Sequence, residues 1–373
     1  MLRYLSSGLL LTVIALFGIG LVQVYSSSYI FAIESYGDGL YFFKRQMIFT
    51  LLALAALIFC VHVPWRWVER AGWMIWPLGG VLVAATFIPG LGVRVGGALR
   101  WIQTPLGFRM EPAEILKFSF TLLVASLMVG KRSNINRVPW WVLAVICVVP
   151  FILLLRQPDF GSFAIMILVG VGLLFAFGLS WKYMGTALAI IIPAFYFLVM
   201  AVPYRRARIM TFLDPWADPE QKGFQVIQSL LSFHSGSLFG VGMGQGQGKL
   251  FFLPEAHTDF TLAVFGEEMG FLGVFFLLSL YGFLIYSGFR ISLKTQDPFK
   301  RAVALGLSMT FALSVFINTG VGLGLLPTKG LTLPFLSYGG SSLVCIGAIF
   351  GLLINIEKSL QDDTLSTKLK RNR

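Results

Sequence analysis

Long apolar runs separated by short polar connections make up most of this chain. Ten runs are long enough for an α-helix to cross a bilayer, which takes about 20 residues. No segment shows the alternating pattern of a membrane β-barrel, so the spans are predicted to be helical. The pattern therefore predicts an all-α polytopic membrane protein with about ten transmembrane helices. They begin near Gly8, Gln46, Gly72, Pro112, Trp140, Phe160, Met184, Phe260, Arg301 and Ser341.

One long polar segment, Pro203–Asp259, lies between predicted spans seven and eight. Part of it has apolar residues at helical spacing opposite a polar face, which predicts a short helix on the membrane surface. The apolar positions are Phe224, Ile227, Leu230 and Leu231, and the polar ones are Gln225, Gln228, Ser229 and Ser232. The Gly-rich stretch Gly236–Gly248 lacks the residues of a phosphate-binding loop and is predicted to be a flexible loop. Prolines and glycines in Pro327–Ser342 predict a re-entrant loop buried in protein.

Composition and charge agree with a membrane location. The chain is 57% hydrophobic and 12% charged, which leaves too little polar surface for a soluble globule of 373 residues. With a cytoplasmic N-terminus, 16 Lys and Arg residues lie on the cytoplasmic side and 12 on the other, which favours this orientation. The net charge of +12 indicates contact with anionic lipid headgroups rather than nucleic acid. No internal repeat is visible, so a single domain, 1–373, is predicted, with an extracytoplasmic loop, 204–259, and a basic cytoplasmic tail, 357–373.

Asp259 is the first candidate for chemistry, because it lies where the polar segment enters span eight. Partial burial next to Phe260 would raise its pKa toward that of a general base. Alternatively, Thr258 or Asp259 is an ordinary helix N-cap, where the helix dipole lowers the pKa. The residues alone support both interpretations equally, with His257 as a rival base and Glu255 as a rival metal ligand.

Other ionisable residues lie inside predicted spans, where charge is costly and function is a default hypothesis. Glu114 and Lys117, three residues apart in span four, share a helix face and are expected to form an ion pair. Either they contribute to function or they only tie helices together. At least one of Glu267 and Glu268 must face the bundle interior, with packing and catalysis equally supported.

A group of cations on the predicted outer side can bind a pyrophosphate, because guanidinium and ammonium groups stabilise charge on phosphate oxygens. The alternative is that they contact lipid headgroups. No Cys and His cluster has zinc spacing, and a divalent cation such as Mg or Mn is left open as a cofactor. The cations are Arg205, Arg206, Arg208, Lys249 and Lys329.

Several short motifs, kept in order over most of the chain, resemble the SEDS family of peptidoglycan glycosyltransferases. The segment Pro327–Pro334, with Thr328-Lys329, is similar to the cell-division branch rather than the elongation branch. Met110-Glu111 and Ala113 depart from a more usual Gln-Pro-Ser pattern. The motifs are Arg100-Trp101-Ile102, Pro112 to Lys117, Arg156 to Gly161, Asp214-Pro215-Trp216, Leu253 to Phe260 and Leu336 to Ser342.

The resemblance implies polymerisation of lipid II into glycan strands on the outer face of the bacterial cytoplasmic membrane, at the division septum. It implies that the family's essential acidic residue is Asp259, here a general base for an inverting displacement. It also implies partners: a class B penicillin-binding protein, which is a transpeptidase, and other divisome membrane proteins. A lipid II flippase and a non-catalytic scaffold for the transpeptidase are the alternatives. The residues assigned to substrate binding are Glu114, Lys117, Arg100, Trp101, Arg205, Arg208, Lys249, His257, Lys329 and Ser337.

Overall fold

A computed structural model describes residues 7–95, 98–105, 107–129, 140–178, 210–219, 223–249, 256–327 and 330–371, with isolated residues between 182 and 196. Its helices are numbered here in chain order, and they supply almost all of the described structure. They are α1 (Ser7–Tyr36), α2 (Tyr41–His62), α3 (Trp65–Ala85), α4 (Pro112–Val129), α5 (Trp140–Arg156), α6 (Phe160–Ala176), α7 (Phe224–Gly236), α8 (Thr261–Lys294), α9 (Pro298–Gly322) and α10 (Gly340–Arg371).

The helical membrane fold predicted from the apolar runs is confirmed. Six of the described helices are long and apolar enough to cross a membrane, namely α1, α2, α4, α8, α9 and α10. Helix α6 is apolar but has only 17 residues. The predicted seventh span, near Met184, lies outside the described residues, so the total of ten stays a prediction.

A small antiparallel sheet corrects the purely helical interpretation. Its strands are β1 (Gly92–Val95), β2 (Ala98–Gln103) and β3 (Arg109–Met110), in the order β1-β2-β3. On β2, buried side chains alternate with partly exposed ones, which is the period-two pattern of a strand with one covered face. The two consecutive glycines in the sequence between β1 and β2 are a hairpin signal. The sheet connects α3 to α4 and carries Arg100 and Trp101.

Small residues allow the helices to pack closely. A Cβ atom at Gly347 of α10 would overlap the backbone of Ala53 in α2, and one at Gly351 would overlap that of Leu57. Gly72 of α3 lies in the same way against the backbone of α4. Without a hydrophobic driving force between helices in lipid, such close approach supplies the packing energy of a membrane bundle.

Helix α8 is kinked at Gly270, where φ is 67° and ψ is −172°. The glycine-rich segment after α7 forms hydrogen bonds with the backbone on both sides of the kink. The Phe271 N–H donates to the Ser237 carbonyl over 2.8 Å, and the Val241 N–H donates to the Glu267 carbonyl over 3.0 Å. These bonds satisfy backbone groups that the kink releases, as a membrane bundle requires. The segment predicted to be a flexible loop is therefore held against α8.

Helix α7 forms where the sequence predicts a short helix, and the side that packs on the bundle carries small polar residues. Leu230 and Leu231 are 37% and 44% exposed, whereas Ser229 and Ser232 are buried. The Ser229 hydroxyl donates to the Gly322 carbonyl at the end of α9, over 2.6 Å. Small polar side chains face the bundle because they permit close contact and satisfy a helix end.

The re-entrant segment before α10 is confirmed for residues 330–339, which are irregular. Leu331, Leu333 and Leu336 in it are buried in the core. Its predicted end was too late, because α10 already begins at Gly340. Helix α10 also continues to Arg371, so most of the predicted tail, 357–373, is an extension of this helix.

Candidate active site

A cavity of about 830 Å³ opens at the end of the bundle where α2, α4, α8 and α10 begin. Its volume lies within the range of roughly 300–1,000 Å³ that is typical of ligand sites. Cations outnumber carboxylates on its walls. The charged side chains that line it, among the residues described, are Arg45, Arg100, Arg109, Glu111 and Asp259. This end of the molecule can therefore hold an anionic ligand beside a carboxylate.

Asp259 lies on the cavity wall, in a turn that precedes α8. Phe260 occupies the N-cap position of that helix and makes no side-chain capping bond. Asn318 of α9 donates its Nδ2 hydrogens to the backbone carbonyls of Asp259, over 3.4 Å, and Leu331, over 2.5 Å. Asn318 thus links this turn to the re-entrant segment.

Ser337 and Tyr338, in the re-entrant segment, fix the same turn by hydrogen bonds. The Ser337 hydroxyl donates to the Thr258 carbonyl over 2.5 Å and accepts from the Leu333 N–H over 3.0 Å. The Tyr338 N–H donates to the His257 carbonyl over 2.9 Å. The hydroxyl of Ser337 is buried and occupied by backbone groups, so its geometry is that of a positioning residue and not of the substrate contact predicted for it.

Arg100 connects three segments at the cavity wall. Its guanidinium donates to the carbonyl of Gly330 over 3.2 Å and to that of Pro158 over 2.6 Å, and its Nε donates to the Gln157 carbonyl over 3.5 Å. A Cβ atom at Gly330 would overlap Arg100 Nη1 and would lie 3.8 Å from Asp259 Oδ2. The absence of a side chain at Gly330 therefore lets the guanidinium and the carboxylate share one part of the wall.

Aromatic side chains form another part of the wall. The His257 ring stacks on Phe31, with 5.2 Å between centroids, and lies 4.8 Å from Phe42. The Arg45 guanidinium lies over the Tyr41 ring at 4.3 Å and donates to the Gly107 carbonyl over 3.0 Å. Trp101 of β2 lines the same space. Four predicted site residues, Asp259, His257, Arg100 and Trp101, thus meet here.

Glu114 and Lys117 form the ion pair that their spacing predicts. Lys117 Nζ lies 2.8 Å from Glu114 Oε1, and both side chains are largely buried, with 4% and 11% exposed. They line a separate cavity of about 20 Å³, which shares Thr332 and Ser342 with the large one. The pair therefore lies next to the large cavity rather than on its wall.

Lys249 lies away from the cavity, in a buried ion pair. Its Nζ is 2.6 Å from Glu268 Oε1 and 3.2 Å from the Ser26 hydroxyl of α1. Glu267 accepts hydrogen bonds from the backbone N–H groups of Gln247 and Gly248. Both glutamates thus hold the glycine-rich segment in place. Of the other predicted cations, Arg205, Arg206, Arg208 and Lys329 lie outside the described residues, as does Glu255.

The sequence interpretation missed four residues that the cavity depends on. Arg45 and Arg109 were two cations among the twelve on their side, with nothing local to distinguish them. Asn318, inside an apolar run, was detectable as a polar residue in a span. Glu111 was visible only as a departure from a motif. No group of three or more His, Cys, Asp or Glu side chains in the described part of the chain is arranged to hold a metal ion.

The fold and the cavity together define a class, a polytopic helical membrane protein with a charged site at one end of its bundle. Residues 7–362 match the family model FTSW_RODA_SPOVE, described as "Cell cycle protein". The chain belongs to this family.

Relatives and solved structures agree over nearly the whole length. "Probable peptidoglycan glycosyltransferase FtsW" of Geobacter metallireducens is 42% identical over 360 residues, which cover 95% of this chain and 94% of the relative. The protein of the same name from Alkalilimnicola ehrlichii is 42% identical over 359 residues, covering 94% and 88%.

Two solved structures have the same fold. One, described as "Structural coordination of polymerization and crosslinking by a peptidoglycan synthase complex", contains a chain that superposes with a TM-score of 0.75 at 29% identity, covering 95% of this chain and 98% of that one. The crystal structure of Thermus thermophilus rod shape determining protein RodA gives a TM-score of 0.68 at 25% identity, covering 95% and 97%.

Proposed function

We propose that this chain is a peptidoglycan glycosyltransferase that polymerises lipid II into glycan strands during cell division. The observation that carries this proposal is the cavity in which Asp259 lies among Arg45, Arg100 and Arg109. A lipid-linked sugar pyrophosphate needs a proton acceptor for the attacking hydroxyl and cations for the leaving group. The relatives named peptidoglycan glycosyltransferase support the same activity.

In the proposed reaction, Asp259 accepts the proton of the 4-hydroxyl group of the acceptor sugar. The hydroxyl oxygen then bonds to the anomeric carbon of the donor chain. The bond between that carbon and the lipid pyrophosphate breaks, and the pyrophosphate leaves with the electron pair. Because this is a single displacement, the configuration at the anomeric carbon inverts.

The leaving pyrophosphate carries the charge that the site must stabilise. Arginines suit this task because their guanidinium groups bind phosphate oxygens with two hydrogen bonds and stay charged. Arg45 and Arg109 are the proposed contacts. Arg45 donates one hydrogen bond to a backbone carbonyl, whereas Arg100 donates three and is less available to a ligand. A divalent cation, Mg or Mn, would add charge stabilisation on the same oxygens. No residues are assigned to it.

The proposed location is the bacterial cytoplasmic membrane at the division septum, with both termini in the cytoplasm and the cavity on the outer side. The distribution of Lys and Arg supports this orientation. The proposed partners are a class B penicillin-binding protein and other divisome membrane proteins. The similarity to a chain of a complex that coordinates polymerization and crosslinking supports a transpeptidase as partner.

A lipid II flippase is the second candidate, since transporters also place charged residues along a cavity. A flippase needs a polar route that reaches both membrane faces. The described charged lining of the large cavity lies instead at one end of the bundle, which favours catalysis. A pure scaffold for the transpeptidase would need neither the cavity nor Asp259.

The first test compares wild type with Asp259→Asn in turnover of labelled lipid II by purified protein with its transpeptidase partner. The amide keeps the size of the side chain but cannot accept the proton, so the rate should fall by about 10²–10⁴-fold. Thermal melting should stay unchanged. Near-normal turnover by a folded variant would contradict the assignment of Asp259 as the general base.

Asp38→Asn is the matched control. Asp38 lies at the same end of the molecule, between α1 and α2, and pairs with Lys44 at an exposed site. Its pKa is lowered by a hydrogen bond from Lys44, so it is ionised at neutral pH like a candidate base. Because Asp38 does not line the cavity, its amide variant should turn over lipid II at the wild-type rate.

A further inference from the structure

Glu111 is a carboxylate of the cavity wall that the proposed reaction does not use. It lies between β3 and the first residue of α4 and is only 8% exposed. Its Oε1 atom has no hydrogen-bond partner among the described residues. A buried polar atom without a partner costs free energy, so a functional reason for this unpartnered oxygen is expected.

The nearby cations direct their hydrogen bonds to other groups. Lys117 Nζ donates to Glu114 over 2.8 Å, and the Arg100 guanidinium donates to backbone carbonyls. The Ser341 hydroxyl of α10 accepts the backbone N–H of Glu111 over 2.8 Å. No cation in the described surroundings therefore forms a hydrogen bond with the Glu111 side chain. An ionised carboxylate is poorly supported at this position.

Burial and the surrounding charges together determine the protonation state of Glu111. Burial raises its pKa most, the carboxylates of Glu114, in α4, and Asp159, before α6, raise it too, and the pKa that results from all neighbouring charges is about 8. Lys117 of α4 and Arg100 of β2 oppose the rise. At neutral pH the side chain therefore keeps its proton, and it loses the proton as the pH rises through about 8.

We propose that Glu111 binds the sugar substrate as an uncharged carboxylic acid, whose O–H group donates a hydrogen bond to an acetamido or hydroxyl oxygen. This proposal rests on the proposed function, because it concerns the same cavity. A protonated carboxyl supplies one donor and one acceptor, as an amide does. An ionised carboxyl would supply only acceptors and would repel the pyrophosphate. The neutral form thus suits a site that takes an uncharged part of an anionic ligand.

The test is the pH dependence of lipid II turnover, measured from pH 6.5 to 9.5 for wild type, Glu111→Gln and Tyr338→Phe. For wild type, KM should rise about tenfold or more between pH 7 and 9.5, as the protonated fraction falls, with a smaller change in kcat. Glu111→Gln should keep its KM at pH 7 within about threefold and show no alkaline rise, because its amide does not titrate.

Tyr338→Phe is the control for another weak acid on the wall. Burial raises the pKa of the Tyr338 phenol above its ordinary value, so the phenol is expected to keep its proton over the measured pH range. Removing the hydroxyl of Tyr338 should therefore leave the alkaline rise in KM intact. The proposal is overturned if Glu111→Gln retains the wild-type rise. It is also overturned if Glu111→Gln melts like wild type but has lost turnover at pH 7, since an ionised carboxylate would then be required.

A second readout separates this proposal from the proposed function. Infrared difference spectra of wild type against Glu111→Gln should contain the band of a protonated carboxylic acid at pH 7 and lose it above about pH 8. Absence of that band at pH 7 overturns the proposal whether or not glycan forms. If wild type itself makes no glycan, the proposed function fails. The same pH series is then measured on the Kd of labelled lipid II, and a Kd that does not weaken above pH 8 overturns the role of Glu111.

Discussion

At the scale of single residues, two buried ion pairs stand out in the described part of the chain. Lys117 with Glu114, and Lys249 with Glu268, each have nitrogen and oxygen atoms 2.8 Å or less apart in surroundings almost free of solvent. Burying two charges costs several kcal/mol per ion, and the pair recovers this only while both partners are present. Losing one partner should therefore matter more than losing both.

A double-mutant cycle at Glu114 and Lys117 tests this. Glu114→Gln and Lys117→Met each leave one buried charge, and each should lower the free energy of unfolding by about 3–5 kcal/mol. The double variant should lose less than the sum of the single losses, because no charge is stranded. Unfolding in detergent provides the measurement.

The exposed pair of Lys44 and Asp38 is the control, because both of its side chains are solvated, with 59% and 42% exposed. The corresponding cycle there, with Lys44→Met and Asp38→Asn, should show no measurable coupling. Strict additivity at Glu114 and Lys117 would contradict a stabilising ion pair.

How far the sequence predicts such contacts depends on their range. The pair of Glu114 and Lys117 follows from spacing within one helix, so the sequence predicted it. Lys249 was predicted to bind pyrophosphate, because nothing local in the sequence shows that it pairs with Glu268, 19 residues further along the chain. Asp259 was singled out by its position, but the residues that fix its turn come from α9 and the re-entrant segment, about 60 to 80 positions further along the chain.

At the scale of elements, helix α8 departs from regular helix at its kink. Gly270 adopts a backbone conformation that essentially only glycine takes. Its Cα also faces the backbone of the glycine-rich segment, with a Cβ position 2.6 Å from the Leu238 carbonyl oxygen. The kink and the returning segment are therefore one structural unit.

Gly270→Ala should lower stability for both reasons. The strained backbone alone costs roughly 1–3 kcal/mol, and the overlap with the glycine-rich segment adds to this. Thermal melting should show the loss. The control is Gly282→Ala in the same helix, where a Cβ atom has nothing within 4 Å and alanine favours the helix. If both variants melt alike, the kink is not fixed by Gly270.

Element prediction from the sequence succeeded for long apolar helices, whose length alone is informative. It failed for the short sheet, since β3 has only two residues and its pairing with β2 is non-local. The pattern predicted the helix α7 but not which of its residues pack on the bundle, because small polar side chains can face inward in a membrane bundle.

At the scale of the whole molecule, the cavity is assembled from parts of the chain that are far apart in sequence. Residues of α1, α2, β2, the turn before α8 and the start of α10 all reach it. Of the residues that the sequence singled out, Asp259, His257, Arg100 and Trp101 line this cavity. The sequence did not show that Lys249 and Ser337 make internal contacts. Such an arrangement at one end of the bundle suits chemistry on one membrane face.

Reconstitution into vesicles with labelled lipid II tests the central claim most directly. Glycan chains and the transfer of label between leaflets are measured in the same sample, for wild type and Asp259→Asn, with the transpeptidase partner present. We expect wild type to form glycan chains without moving label across the bilayer, and Asp259→Asn to form none. Asp259-dependent transfer of label without any glycan product would contradict the account, because it would make the cavity part of a transport route rather than an active site.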